Sequence, residues 1–113
     1  MPVQDHFGGD TLAASFRKID PLLDSEPTVT YRKLRDMMLK AEFRPEESAA
    51  LPTPWREFCL ASLAWAGGRD LEALKLLDTG SKTSPRYFWM RYYIAEILLR
   101  RLDLYDLARV EIQ

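Results

Sequence analysis

The sequence predicts an all-α protein built from helical hairpins, and three observations support this fold class. No stretch shows sustained strand alternation, and valine is scarce. Breaks rich in glycine and proline separate segments whose apolar residues recur every three or four positions. Residues 54–61 also match residues 88–95 at a spacing of 34. The matched pairs are Trp55 with Trp89, Leu60 with Ile94, and Ala61 with Ala95. Such a period is typical of stacked helical repeats, because each helix pair buries its open apolar face on a neighbour.

The N-terminal half predicts two longer helices and one short one. Residues 1–9 end in two glycines and are expected to form a flexible tail. Asp10 is a candidate cap for a helix that begins at Thr11 and that Pro21 interrupts or restarts. A second helix, capped by Thr28 or Thr30, is expected to run to about Phe43. A short helical turn then opens at residues 44–47 and stops at the prolines at positions 52 and 54.

From residue 55 onward the helical pattern is more regular. The predicted helices are Trp55 to Ala66, Asp70 to Asp78, Arg86 to Arg101, and a last segment from about Asp103 to Gln113. Residues 67–68 are both glycine, and at least one is expected to take a positive φ in a tight turn between two helices. Residues 80–85 are expected to form the next loop. The whole chain should hold about five to seven helices.

Composition limits the class of protein. The chain has 113 residues, is 47% hydrophobic and carries a net charge of −1, which suits one folded domain. The balanced charge gives no basic field for a nucleic acid, and no apolar run approaches the length of a membrane span. The single cysteine fits a reducing compartment, and the N-terminus lacks the pattern of a secretory signal. We therefore expect a soluble cytoplasmic protein that binds neither nucleic acid nor membrane.

No catalytic or metal-binding constellation stands out in the sequence. His6 is the only histidine, and it lies in the predicted tail, so a nucleophile has no base beside it. Cys59 falls in an apolar helix, where a buried structural thiol is the usual interpretation. The glycine pairs lack the spacing and the lysine of a phosphate-binding loop. We expect no enzymatic activity, no catalytic residue, no metal and no cofactor.

The repeat resembles the tetratricopeptide repeat, a helix–turn–helix unit of 34 residues. Residues 54–87 and 88–113 carry the clearer copies, and residues 10–53 are interpreted as a degenerate third. The positions that carry the resemblance are Leu60, Ala61, Gly68, Ala73, Leu77 and Pro85 in the first copy, and Ile94, Ala95, Ala108 and Ile112 in the second. The resemblance implies one tetratricopeptide-like solenoid over residues 10–113. Close helix crossings are expected at Ala61, Ala73, Ala95 and Ala108, because helix axes approach to roughly 8–10 Å there.

In this family the first helix of each unit lines a concave surface, which implies a candidate partner-binding groove. The resemblance implies that this groove is lined by Trp55, Phe58, Ser62, Trp65, Trp89, Tyr92, Glu96 and Leu99. Two interpretations are open. The aromatic residues form an apolar groove that holds a partner's amphipathic helix, or they belong to the core and are covered by the chain's own N-terminal helix.

The groove interpretation predicts a non-enzymatic adaptor or chaperone. Small tetratricopeptide-like chaperones of bacterial type III secretion are similar in size and composition. One alternative is a structural or oligomerisation domain that pairs with a second copy of itself. Another is a fragment of a longer helical-repeat scaffold. The expected partner is therefore a protein helix or a homo-oligomer.

Overall fold

The computed structural model describes residues 11–100, and every regular element in this range is helical. The predicted all-α class is confirmed for this part of the chain. The elements are α1 (Leu12–Ile19), α2 (Leu22–Ser25), α3 (Pro27–Lys40), α4 (Pro45–Ala49), α5 (Trp55–Ala66), α6 (Asp70–Ser81), a 3₁₀ turn (Pro85–Tyr87) and α7, which is described over residues 90–100. Helix α5 is central, because it packs against α3, α4 and α6.

Three boundaries in the N-terminal half differ from the prediction. Thr11 is the cap of α1 and not its first residue, since its hydroxyl accepts a hydrogen bond from the Ala14 N–H. Helix α3 begins at Pro27, because proline fits the first helical position where no N–H donor is needed. It ends at Lys40 and not near Phe43, since Ala41 takes the left-handed conformation with φ 52°.

Helices α5 and α6 form a hairpin around a tight glycine turn, as predicted. Both ends of α5 lie where the sequence placed them, and Gly68 has the positive φ, at 77°. Small residues lie fully buried on both helices, among them Ala61 and Ala73. The small side chains at these two positions permit the close approach that the repeat pattern predicted.

The second hairpin boundary was predicted wrongly. Helix α6 continues to Ser81, so Gly80 lies inside a helix and not in a loop. A Cβ atom on Gly80 would lie 2.7 Å from Cε of Met90, so a larger residue there would require the end of the Met90 side chain to shift. The predicted helix from Arg86 is also interrupted, because a 3₁₀ turn and residues 88–89 precede the start of α7 at residue 90.

Some sequence predictions cannot be compared with these helices. The tail at residues 1–9, the cap at Asp10, the last segment from Asp103 and the crossing at Ala108 all lie outside the described residues. Ala95 is described and is exposed, so a close crossing at that position is wrong for the fold of residues 11–100.

The glycine turn gives a direct test of the hairpin. Gly68→Ala should lower the free energy of unfolding by about 1–2 kcal/mol, because a side chain strains the left-handed conformation. Gly67→Ala is the matched control, since Gly67 has a negative φ and its new Cβ would meet only the exposed side chain of Arg69 and the Leu63 carbonyl. Urea denaturation of both variants measures the difference. Equal costs at the two positions would contradict the assigned turn.

Candidate interaction surface

The structure divides the eight predicted groove residues into two groups. Trp55, Phe58, Ser62 and Trp89 are buried, with exposed fractions between 0 and 5%. The Ser62 hydroxyl donates a hydrogen bond to the Met38 carbonyl of α3. The prediction that these four line an open concave surface is therefore wrong, and the core interpretation holds for them.

The buried aromatic rings form one cluster, with Phe58 at its centre. The ring centroid of Phe58 lies 6.0 Å from that of Trp55 and 6.1 Å from that of Trp89. Phe16 of α1 stacks on Trp55 at 4.5 Å, and Tyr31 of α3 stacks on Trp89 at 5.9 Å. The N-terminal helices therefore cover the side of α5 that an open groove would expose.

The other four predicted groove residues reach the surface to different degrees. Trp65 and Glu96 are half-buried, whereas Tyr92 and Leu99 are exposed by 65% and 63%. Tyr92 keeps one ring contact within the described residues, at 6.5 Å from Tyr31. These four do not converge with the buried group on one surface.

Helix α7 is anchored to the rest of the protein through one side. Trp89, Met90, Tyr93 and Ile97 are buried at spacings of one, three and four residues, so they share one face of the helix. The Tyr93 hydroxyl donates to the Tyr31 carbonyl, and burial raises the pKa of this phenol, so it stays protonated as a donor. The orientation of α7 on α3 and α5 is fixed by these contacts.

The opposite side of α7 is apolar and exposed. Tyr92, Ala95 and Leu99 follow one another at spacings of three and four residues on α7, which places them on one stripe, and Phe88 lies four residues before Tyr92 in the turn that precedes the helix. Phe88 is exposed by 61%, and the neighbouring Leu98 by 41%. We call the stripe of Phe88, Tyr92, Ala95 and Leu99 the 88–99 face. Helix α7 therefore has two apolar sides, one buried and one exposed, with charged residues between them.

Ion pairs border the 88–99 face on both edges. On one edge, Arg91 pairs with Asp78 of α6 at 2.7 Å. On the other edge, Glu96 accepts hydrogen bonds from Arg35 of α3 at 3.1 Å and from Arg100 at 2.8 Å. The hydrogen bond from Arg35 is the main reason that the pKa of Glu96 lies below its usual value. Both edges of the 88–99 face therefore carry paired charges of both signs.

A second polar cluster joins the N-terminal helices to the 3₁₀ turn. The Asp20 carboxylate accepts hydrogen bonds from the Tyr87 hydroxyl at 2.6 Å, from Arg86 at 2.6 Å and from the Trp55 indole at 3.1 Å. Arg86 also pairs with Asp24 at 3.0 Å. Partial burial alone would raise the pKa of Asp20, but the bonds from Tyr87, Arg86 and Trp55 outweigh it and lower that pKa.

Because its pKa is lower in the folded state, Asp20 stabilises the fold above the unfolded-state pKa of about 3.9. This contribution is lost as the pH falls through the folded-state value. Asp20→Asn should therefore cost about 1–3 kcal/mol at pH 7, and the gap to wild type should narrow below about pH 4. Thermal melts of both proteins between pH 7 and pH 3 measure this. A gap that stays constant with pH would show that the carboxylate charge does not matter.

Cys59 is the other candidate for chemistry within the described residues. Cys59 is fully buried, and burial raises the pKa of its thiol, so the reactive thiolate is suppressed at neutral pH. Within residues 11–100, no cluster of three histidine, cysteine or acidic residues has the arrangement of a metal site. No helix in that range has the length and hydrophobicity needed to cross a membrane.

Comparison with known proteins finds no family model, no curated protein and no solved structure that matches this chain.

Sequence reasoning missed Phe88 and Leu98 as surface residues, because the 34-residue register drew attention to the tryptophans. The spacing of four, three and four from Phe88 to Leu99 was the signal that could have identified the exposed stripe. The pattern alone gives two apolar sides to α7, and only the packing of α3, α5 and α6 decides which side is covered.

Proposed function

We propose that this protein is a non-enzymatic, tetratricopeptide-like adaptor or chaperone that binds an amphipathic helix on its 88–99 face. The observation that carries the proposal is the exposure of Phe88, Tyr92 and Leu99, each above 60%, along one side of a helix whose other side is buried. Contiguous exposed apolar patches with polar rims mark interaction sites. The proposed binding surface is therefore this exposed helical stripe and not the expected groove.

The shape of the stripe favours a helical ligand. Its side chains lie about one turn apart, which is the spacing at which two packed helices interdigitate. Tyr92 lies near the middle, and tyrosine is among the residues enriched at binding hot spots. The ion pairs at Arg91 and Glu96 supply a polar rim that can set the register of the ligand.

The internal repeat supports the same interpretation. Tyr92 stands 34 residues after Phe58 and therefore occupies the equivalent position in the second copy. Phe58 is fully covered, and two of its ring contacts come from Trp89 and Tyr93 on the segment of the following copy. No described residues cover Tyr92 in the way that Trp89 and Tyr93 cover Phe58, and the side chain of Tyr92 is 65% exposed. A bound helix would supply that cover.

A peptide-binding experiment tests the proposal. The probe is a fluorescent synthetic amphipathic helix with leucines at positions a and d of three heptads, and the readout is fluorescence anisotropy. Leu99→Asp should weaken binding by about tenfold or more, because it places a charge in the apolar stripe.

Leu71→Asp is the matched control, since Leu71 is a 75% exposed leucine on α6 and lies outside the stripe. It should bind the peptide as the wild type does. Equal loss in both variants, or no binding by wild type, would contradict the proposed function.

A further inference from the structure

We infer that the helix bound by the 88–99 face is α7 of a second copy of this chain, packed in parallel about a two-fold axis. The inference rests on the proposed function, because it names the ligand of the same face. It goes further in specifying the orientation, the register and the residues that meet across the interface.

The stripe has the spacing of a coiled-coil seam. Within α7, Tyr92, Ala95 and Leu99 are separated by three and four positions, so they occupy a, d and a of a heptad, and Phe88 lies four residues earlier in the turn before the helix. All four are exposed, and none is charged. The d position at Ala95 is small, which lets two copies of α7 approach closely at the centre of the seam.

The charges beside the seam are complementary to those of a second copy. Arg91 precedes an a position and is therefore at g, whereas Glu96 follows a d position and is at e. In a parallel pair, a g residue faces the e residue five positions later on the other helix, so each Arg91 would meet the Glu96 of the second copy. In an antiparallel pair, arginine would face arginine and glutamate would face glutamate. The signs therefore select the parallel orientation.

The ion pairs within one chain leave room for this contact. Arg91 uses one guanidinium nitrogen for Asp78, and a guanidinium group has five N–H donors. The Glu96 carboxylate has capacity for about four hydrogen bonds and accepts from Arg35 and Arg100. The side chain of Arg91 is 42% exposed and that of Glu96 is 27% exposed, so both reach the rim.

Sedimentation velocity of the full chain over a range of concentrations tests the pairing. Because one helix face per protomer makes a small interface, we expect a reversible dimer with a dissociation constant of about 1 µM or weaker. Leu99→Asp should weaken association by about tenfold or more, and Leu71→Asp should leave it unchanged. Thermal melts at low concentration are the control that tests whether both variants fold as the wild type does.

A charge-exchange experiment tests the register. Arg91→Glu alone places two glutamates together across the seam, and Glu96→Arg alone places two arginines together, so each variant by itself should associate more weakly than wild type. An equimolar mixture of the two restores both opposite-sign pairs and should recover association. If the mixture associates no better than its components, the charge argument is wrong.

A cross-linking experiment tests the orientation. In the parallel pair, position 99 lies beside position 99 of the second copy, so Leu99→Cys should form a disulfide-linked dimer under mild oxidation. Cys59 is buried, and the wild-type chain should give no such dimer. Cross-linking only between Phe88→Cys and Leu99→Cys in a mixture would establish the antiparallel arrangement and overturn the inference.

Three other outcomes overturn the inference, and they separate it from the proposed function. A monomeric wild type that binds the amphipathic peptide through the 88–99 face rejects self-pairing but keeps the function. A dimer that tolerates Leu99→Asp pairs through another surface, and the peptide experiment then decides the function by itself. A monomer that binds no peptide and is strongly destabilised by Leu99→Asp covers the stripe within its own chain, and both proposals fail.

Discussion

Replacement of Phe58 by alanine is expected to lower the free energy of unfolding by about 3–5 kcal/mol. Phe58 is fully buried, and its ring contacts five other aromatic rings drawn from four parts of the chain. These rings belong to Phe16, Phe43, Trp55, Trp89 and Tyr93. Alanine would leave a cavity, and no neighbouring element can fill it without losing its contacts with the others. The lost transfer free energy of the side chain and the cost of the cavity therefore add.

Phe88→Ala is the matched control for this change. It removes the same side chain from a position that is 61% exposed, where the only ring contact within the described residues is the Arg91 guanidinium at 5.7 Å. Its cost should be about 1 kcal/mol or less. Chemical denaturation of the two variants measures the contrast. Similar costs for the two would mean that Phe58 is not the centre of the aromatic cluster.

Helix boundaries were predictable where local chemistry and packing agree. Helix α5 begins at Trp55 and ends at Ala66 as predicted, because a proline precedes it and a glycine pair follows it. The end of α6 was not predictable in this way. Gly80 locally favours the end of a helix, yet it lies inside α6, where a Cβ atom would lie 2.7 Å from the end of the Met90 side chain. The local preference of glycine therefore does not decide where α6 ends.

The candidate site was only partly predictable for a related reason. The 34-residue period placed Trp55 and Trp89 at equivalent positions of the repeat, and the centroids of their rings lie 5.9 Å apart. Whether such a shared face is open depends on what else packs on it, and that is a property of the N-terminal helices. Phe16 and Tyr31 cover the two tryptophans. The sequence around Phe16 and Tyr31 does not show that they pack on these residues. Among residues 11–100, the 88–99 face is an apolar surface that stays open.

Trp89 gives the second large expected effect and separates the core from the interaction surface. Trp89→Ala should cost about 3–5 kcal/mol, because the indole is 3% exposed and packs between Tyr31, Trp55 and Tyr93. Tyr92→Ala, one position along the chain, should cost about 1 kcal/mol or less, since that side chain is 65% exposed. Thermal and urea unfolding of the two variants at low protein concentration measure this contrast, and binding of the amphipathic peptide should show the opposite order once it is corrected for the folded fraction.

A third variant, Trp89→Phe, tests whether the indole N–H of Trp89 contributes to the stability of the fold. This indole N–H is buried without an acceptor among residues 11–100, whereas the N–H of Trp55 donates to Asp20 at 3.1 Å. Trp89→Phe removes an unsatisfied donor and leaves only a small cavity, so it should change the stability by about 1 kcal/mol or less. Trp55→Phe removes a made hydrogen bond to a carboxylate and should cost more, by about 1–2 kcal/mol. If Trp89→Phe proves as costly as Trp89→Ala, the indole nitrogen has a partner and α7 is anchored by more than ring packing.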